Sequence, residues 1–229
     1  MLPRILFVHV PKTGGYALWS ALSAVYGSQN SIRFGSPEEY EIFKRMTPFE
    51  FSRYRLITGH LSLPDFLAKG IENWTPIAIT RDPLDRLLSA YYYVRGWDEH
   101  PDHDEYMRMS LDDYVSFCER GSGAPQAWSL AGVETLKDAL PLLERYKILA
   151  PYDKFQEATA AIANLVGSPL HVDRVNVTTK PVTYEFFSPS QSSRLRTHLA
   201  EDVALHLYVQ QRWEQRTKRT FIDRKMSPE

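Results

Sequence analysis

The sequence predicts an α/β fold in three layers, with a central, mainly parallel sheet flanked by helices. Two observations carry this. Short apolar runs of strand length alternate along the chain with longer stretches of helical period, the order expected of successive βα units. The runs close at glycine, proline or charged residues, which end a buried strand.

In order, Ile5-Leu6-Phe7-Val8-His9-Val10 reads as the first buried strand, closed by Pro11 and Gly14-Gly15. Trp19, Leu22 and Tyr26 follow at spacings of three and four, so a helix comes next. Tyr54 to Gly59 is a second strand, leaving His60 just past its end, and Ile77-Ala78-Ile79-Thr80 is a third. Asp82 can then cap a helix with Pro83 in its first turn, where a proline forgoes no hydrogen bond. Leu84, Leu87, Leu88 and Tyr91 form the apolar stripe of that helix. Leu111 to Cys118 and Thr135 to Arg145 read as helices, and Lys147 to Ala150 as a fourth strand. Phe155 to Val166 is an Ala-rich helix, and Ser190 to Arg216 a last long one. No internal repeat, low-complexity stretch or long linker divides the chain, so residues 1–229 are expected to form one domain.

The 229 residues carry 27 Lys plus Arg against 28 Asp plus Glu, a net charge of −1. That balance lacks the basic excess of proteins that grip nucleic acid or an anionic membrane along a surface, while leaving room for a small local anion site. With 43% hydrophobic and 24% charged residues the chain has ordinary globular composition. A single cysteine, Cys118, excludes an intramolecular disulfide and a cysteine-rich metal cage, and is expected to be a packed thiol. The first apolar run is far shorter than a membrane span and lacks the layout of a secretory signal, so a soluble, cytoplasmic protein is expected.

Three segments bear chemistry. Pro11-Lys12-Thr13-Gly14-Gly15 lies between a strand and a helix, which gives the fold a P-loop-like character. Glycines let the backbone approach an anion, and the free amides of a helix start point at it with the positive end of the dipole. Lys12 adds a charge and Thr13 a hydroxyl. The Walker spacing, Gly, four residues, then Gly-Lys-Ser/Thr, is absent, which disfavours an ordinary ATP or GTP phosphotransferase. In Arg81-Asp82-Pro83 through Tyr93, helical spacing puts Arg86, Ser89 and Tyr93 on one face, and Arg81 stands at a strand's carboxyl end, where open sheets bind ligands. Arg81 and Ser89 can hold a phosphate by charge-assisted hydrogen bonds. Thr58-Gly59-His60 offers a histidine, whose titration near neutrality suits a general base. Each segment alone also fits an ordinary turn, a capped surface helix or a structural histidine. All three end strands, and that coincidence favours a site.

Together these residues resemble the PAPS-dependent carbohydrate sulfotransferases, in particular the heparan sulfate 2-O-sulfotransferase type and its bacterial relatives of sulfotransferase family 2. His9 to Gly15 resembles that family's 5′-phosphosulfate loop, Arg81-Asp82-Pro83 through Ser89 to Tyr93 its 3′-phosphate motif, and Gly59-His60 the segment with its catalytic histidine. Arg174-Val175-Asn176-Val177-Thr178 with Lys180-Pro181 resembles the C-terminal segment that closes over the nucleotide. Where that family usually has Thr or Ser after the glycine pair, this sequence has Tyr16-Ala17.

The resemblance implies transfer of a sulfuryl group from PAPS, 3′-phosphoadenosine 5′-phosphosulfate, to a hydroxyl of an acceptor, expected to be a carbohydrate, in a bacterial cytoplasm and without a metal. In that scheme His60 is the general base and Lys12 stabilises the leaving group. Pro11, Lys12, Thr13, Gly14, Gly15 and Tyr16 hold the 5′ end of the nucleotide, Arg81, Ser89 and Arg86 the 3′ end, and Thr178 and Lys180 close over it. The acidic run Asp98 to Glu105 reads as a solvated loop near the acceptor, where its charge disfavours a heavily sulfated one. Phe34, Tyr40, Phe49, Trp97 and Trp128 are expected to fill the core before they serve as sugar platforms. Two rivals stay open: a P-loop kinase-like phosphotransferase dependent on magnesium, and a nucleotide- or glycan-binding protein that has lost activity.

Overall fold

Every residue of β1 (Ile5–Val8) is buried, which requires a sheet covered on both faces. The computed structural model describes residues 2–121, 125–172 and 186–226, with side chains to residue 218. β1 is the middle strand of a five-stranded sheet that also contains β2 (Ser31–Phe34), β3 (Leu56–Gly59), β4 (Thr75–Thr80) and β5 (Ile148–Pro151), in the order β2-β3-β1-β4-β5. All its pairings are parallel. The strands expected from apolar runs are present with shifted ends. β2 was not foreseen: its Ser-Ile-Arg-Phe sequence is an edge strand with only Phe34 fully buried, so it lacks an apolar run and owes its form to the ladder with β3.

The alternation of side chains along each strand builds the layers. Leu6 and Val8 face one way with Ile57, Ala78 and Leu149, while Ile5 and Phe7 face the other with Leu56, Ile77 and Ile148. α1 (Gly15–Tyr26) and α10 (Phe155–Val166) cover the second face through Leu18, Leu22, Ala158 and Ile162. The first face is covered by α2 (Pro37–Arg45), α4 (Leu63–Leu67), α8 (Gln126–Ala131) and α9 (Leu136–Leu143), with α3 (Pro48–Phe51) leading into β3. α5 (Pro83–Arg95), α7 (Leu111–Glu119) and α11 (Pro189–His198) form a further cluster around Leu88, Tyr91, Tyr114 and Leu195. Cys118 is packed in that cluster, where burial pushes its thiol pKa up to about 11.

Three expectations are corrected. The final helical pattern is two helices, α11 and α12 (Ala200–Met226), because Leu195 and Leu199 pack in one cluster and Leu205 and Val209 in another, faces that a single straight helix does not join. The acidic run is not all loop, since α6 (His103–Arg108) begins within it. Of the five aromatics expected in the core, Phe34 is buried and Tyr40 packs against the core, but Phe49, Trp97 and Trp128 are exposed. Among the described residues no helix is long and apolar enough to cross a membrane.

Candidate active site

The chain leaves β1 toward α1 on one face of the sheet and leaves β3 toward α4 on the other. Neither connection covers the gap between the two carboxyl ends, which is where parallel sheets bind ligands. The backbone ladder runs one residue beyond each strand, with His9 N–H donating to the Gly59 carbonyl at 3.0 Å and His60 N–H to the Phe34 carbonyl at 3.2 Å. The two histidines therefore stand side by side, ring centroids 4.3 Å apart.

His60 Nδ1 lies 2.9 Å from the carbonyl oxygen of His9. A carbonyl only accepts, so the neutral ring carries its proton on Nδ1 and leaves the lone pair on Nε2. Desolvation lowers the His60 pKa below the ordinary histidine value, although the side chain is exposed to solvent. His9 stacks on Phe7 and lies tilted by 34° against His60. Burial, then the charges of His60, Arg33 and Lys12, hold its pKa well below the ordinary histidine value.

The loop from β1 to α1 turns through two left-handed residues, Lys12 at φ 67° and Gly14 at φ 75°. For a lysine this conformation carries a cost of the kind that gathers at functional sites. Thr13 between them is fully buried, and its hydroxyl donates to the Val10 carbonyl at 2.7 Å, tying the turn shut rather than facing a ligand. A methyl group on Gly15 would lie 2.0 Å from Cδ2 and Nε2 of His9, so only glycine brings the start of α1 so near that ring. Among the described residues no side chain caps this helix start, and its first amides are available to an anion.

Lys12 Nζ rests 3.4 Å from the Tyr93 ring centroid. Burial, and then the charge of Arg81, bring its pKa down to about 8. The Arg81 guanidinium donates to the Lys12 carbonyl at 3.2 Å and stacks on Tyr152 at 4.8 Å. Gln126 fixes the backbone of Arg81, its Oε1 accepting the Arg81 N–H at 2.9 Å and its Nε2 donating to the Arg81 carbonyl at 2.8 Å. Among the described residues Arg81 Nε is buried without a hydrogen-bond partner, a charged donor shaped for an acceptor.

One cavity of about 310 Å³ gathers Pro11, Lys12, Gly14, Gly15, Tyr16, His60, Arg81 and Ser89 from the sequence expectations. It also takes in His9 and Tyr93, which the sequence motifs named without assigning them a contact, and Arg33 and Tyr152, which were not among the expectations. His9, Arg33 and Tyr152 all stand at the carboxyl ends of parallel strands, a signal usable only once the strands are placed. A second cavity, of about 520 Å³, shares Arg81 and Tyr152 with the first and runs on to His206 and Gln210 of α12. Arg86 does not line the first cavity. It is buried and paired at 3.7 Å with Asp202 of α12, whose Oδ1 also accepts the Gln126 N–H at 2.7 Å. Burial raises the Asp202 pKa and the Arg86 charge opposes that rise. Arg86 therefore braces the segment that positions Arg81. Thr178 and Lys180 lie outside the described residues. Among the described residues no three His, Cys, Asp or Glu side chains gather as metal ligands do.

A glycine loop opening a helix, with a lysine and an arginine above parallel strand ends, defines an α/β protein with a cation-lined cavity at its topological switch point. Residues 3–221 match the sulfotransferase family, and the chain belongs to it. It is 27% identical over 108 residues to the heparan sulfate 2-O-sulfotransferase hst-2 of Caenorhabditis elegans, a stretch that is 42% of this chain and 33% of that relative. The chain thus matches about a third of the length of this curated relative. Its fold is similar to that of mouse sulfotransferase SULT7A1 complexed with PAP, with a TM-score of 0.56 and 16% identity over 88% of this chain and 85% of that one.

Proposed function

We propose that the protein transfers a sulfuryl group from PAPS to a hydroxyl of a carbohydrate acceptor. The observation that carries this reading is the convergence of Lys12, Arg81, Ser89 and His60 on one cavity at the strand ends, in a chain of the sulfotransferase family. The relative named for heparan sulfate supports a sugar acceptor, and the PAP complex of the structural neighbour supports the nucleotide.

The residues fit that nucleotide. Among the described residues Arg81 Nε is a buried donor without a partner, and no side chain caps the start of α1, so its first amides are open to a phosphate. The loop from Pro11 to Tyr16 would hold the 5′ end through the amides at the start of α1, and Arg81 with Ser89 the 3′-phosphate. PAPS bound there supplies an activated sulfuryl group. His60 Nε2 takes the proton of the acceptor hydroxyl, since Nδ1 is already committed to the His9 carbonyl. Lys12, cationic below its pKa of about 8, leaves the Tyr93 face and stabilises the charge that grows on the leaving oxygen. A sulfuryl group carries less charge than a phosphoryl group, so this account needs no divalent metal.

Thermal unfolding with adenosine 3′,5′-bisphosphate (PAP), compared with ATP and magnesium, tests the reading. At about a hundredfold excess over its Kd, PAP should raise the midpoint by about 5–10 °C, because only a ligand of the native state shifts it. A larger shift from ATP with magnesium would replace this reading with a phosphotransferase.

A further inference from the structure

Ser89, Tyr93 and Trp97 follow one another at steps of four along α5 and just past its end, and Ser89 and Tyr93 line the cavity. Four helical residues advance about 6 Å along the axis. The row therefore runs from the residue assigned to the 3′-phosphate, past the lysine over Tyr93, and out to solvent. Trp97 packs 5.7 Å from Tyr93 by ring centroid, and His100 lies 5.2 Å from Trp97 and 6.2 Å from Tyr93. Trp97 is nonetheless 42% exposed. A lone exposed apolar ring needs no explanation. Three rings in mutual contact, set at 56° to 82° to one another, make a stepped aromatic shelf whose innermost member, Tyr93, lies beneath Lys12 and lines the cavity.

We propose that this shelf is the acceptor subsite and that its occupant is an uncharged sugar ring stacked on Trp97. The proposal rests on the sulfotransferase reading and adds the chemical class of the acceptor. The C–H face of a pyranose is weakly positive and matches the negative face of an indole. At the rim, His100 Nδ1 accepts the Asp102 N–H at 3.1 Å, so the neutral ring presents Nε2–H as a donor to a sugar hydroxyl. Lys12 supplies positive charge over the innermost ring, while the outer end carries the exposed carboxylates Asp98, Glu99 and Asp102, which accept from hydroxyls and repel sulfate or carboxylate groups. A row that ends in carboxylates selects a neutral ring over a polyanion.

The test uses the full chain saturated with PAP and three probes: cellohexaose and chitohexaose, both uncharged, and a heparin hexasaccharide. Binding is read by saturation-transfer NMR and titration, and PAP affinity by calorimetry. At least one uncharged probe should bind more tightly than the heparin hexasaccharide. Trp97→Ala should weaken that binding about three- to tenfold, with Trp97→Phe restoring most of it. PAP affinity should be unchanged in both variants, because Trp97 does not line the nucleotide cavity. Preference for the heparin hexasaccharide, binding of neither uncharged probe, or full binding by Trp97→Ala would each overturn the shelf. Failure of PAP itself to bind would overturn the underlying reading, whereas PAP binding without sugar binding overturns the shelf alone.

Discussion

His60 Nδ1 is held 2.9 Å from the carbonyl oxygen of His9, a backbone atom fixed by the ladder between β1 and β3. The tautomer of the proposed base is therefore set by the sheet and not by a mobile carboxylate. His60→Ala should lower turnover by about two to four orders of magnitude, the usual worth of a positioned base. PAP affinity should be retained, since the phosphate contacts lie elsewhere. Sulfate transfer from labelled PAPS and calorimetry on the same preparation measure the two quantities. Near-normal transfer would remove His60 from the base role.

Lys12 and His60 bound the working pH from opposite sides. His60 must be neutral, and burial lowers its pKa, so the acid limb of kcat/KM should lie below the ordinary histidine value. Lys12 must be charged, and its pKa of about 8 means that PAP affinity and kcat/KM fall as pH rises through that value. A bound anion favours protonated Lys12, so binding takes up a proton at alkaline pH, which fixes the sign. Calorimetry from about pH 7 to about pH 9.5 should show this decline in the wild type and its loss in Lys12→Ala. A flat wild-type profile would place the Lys12 charge outside the binding step.

The parts of the site that are local in sequence were legible. A strand, a glycine loop and a helix start are written within a dozen residues, and the Asp82-Pro83 cap identifies the helix that carries Ser89. The parts that depend on distant packing were not. Helical spacing put Arg86 beside Ser89, but which way a guanidinium turns is decided by Asp202, far along the chain on α12. Thr13 looked like a ligand donor because its hydroxyl is polar, and only the turn geometry shows that the Val10 carbonyl takes it. Arg33 was missed together with β2, whose apolar content is too low to mark an edge strand. Trp97 was placed in the core by its residue type, whereas Gly96 ends α5 and turns the next residue out to solvent.

Arg81 and Arg86 should separate cleanly. Arg81→Ala removes charge-assisted hydrogen bonds to the nucleotide, each worth about 1.5–3 kcal/mol, so PAP affinity should drop about tenfold to a hundredfold with little change in ligand-free stability. Arg86→Ala leaves the Asp202 carboxylate buried without its cation, which costs about 3–5 kcal/mol of stability. Urea unfolding reads the second effect and calorimetry the first. The reverse pattern would return Arg86 to the phosphate site.

Gly15 places the start of α1 against the His9 ring, and a methyl group there would fall 2.0 Å from two ring atoms. The ring has little freedom to yield, since it stacks on Phe7 and packs against His60. Gly15→Ala should therefore cost about 1–3 kcal/mol of stability by overpacking, and push His9 into the base. Because that push tilts His60, turnover should fall further than PAP affinity does. Removing the obstructing ring supplies the control: in the double variant Gly15→Ala with His9→Ala the stability loss should shrink, and the two changes should be strongly non-additive because the residues touch. Wild-type stability and turnover in Gly15→Ala, or simple additivity in the double variant, would show that the contact between loop and ring does not hold the base in place.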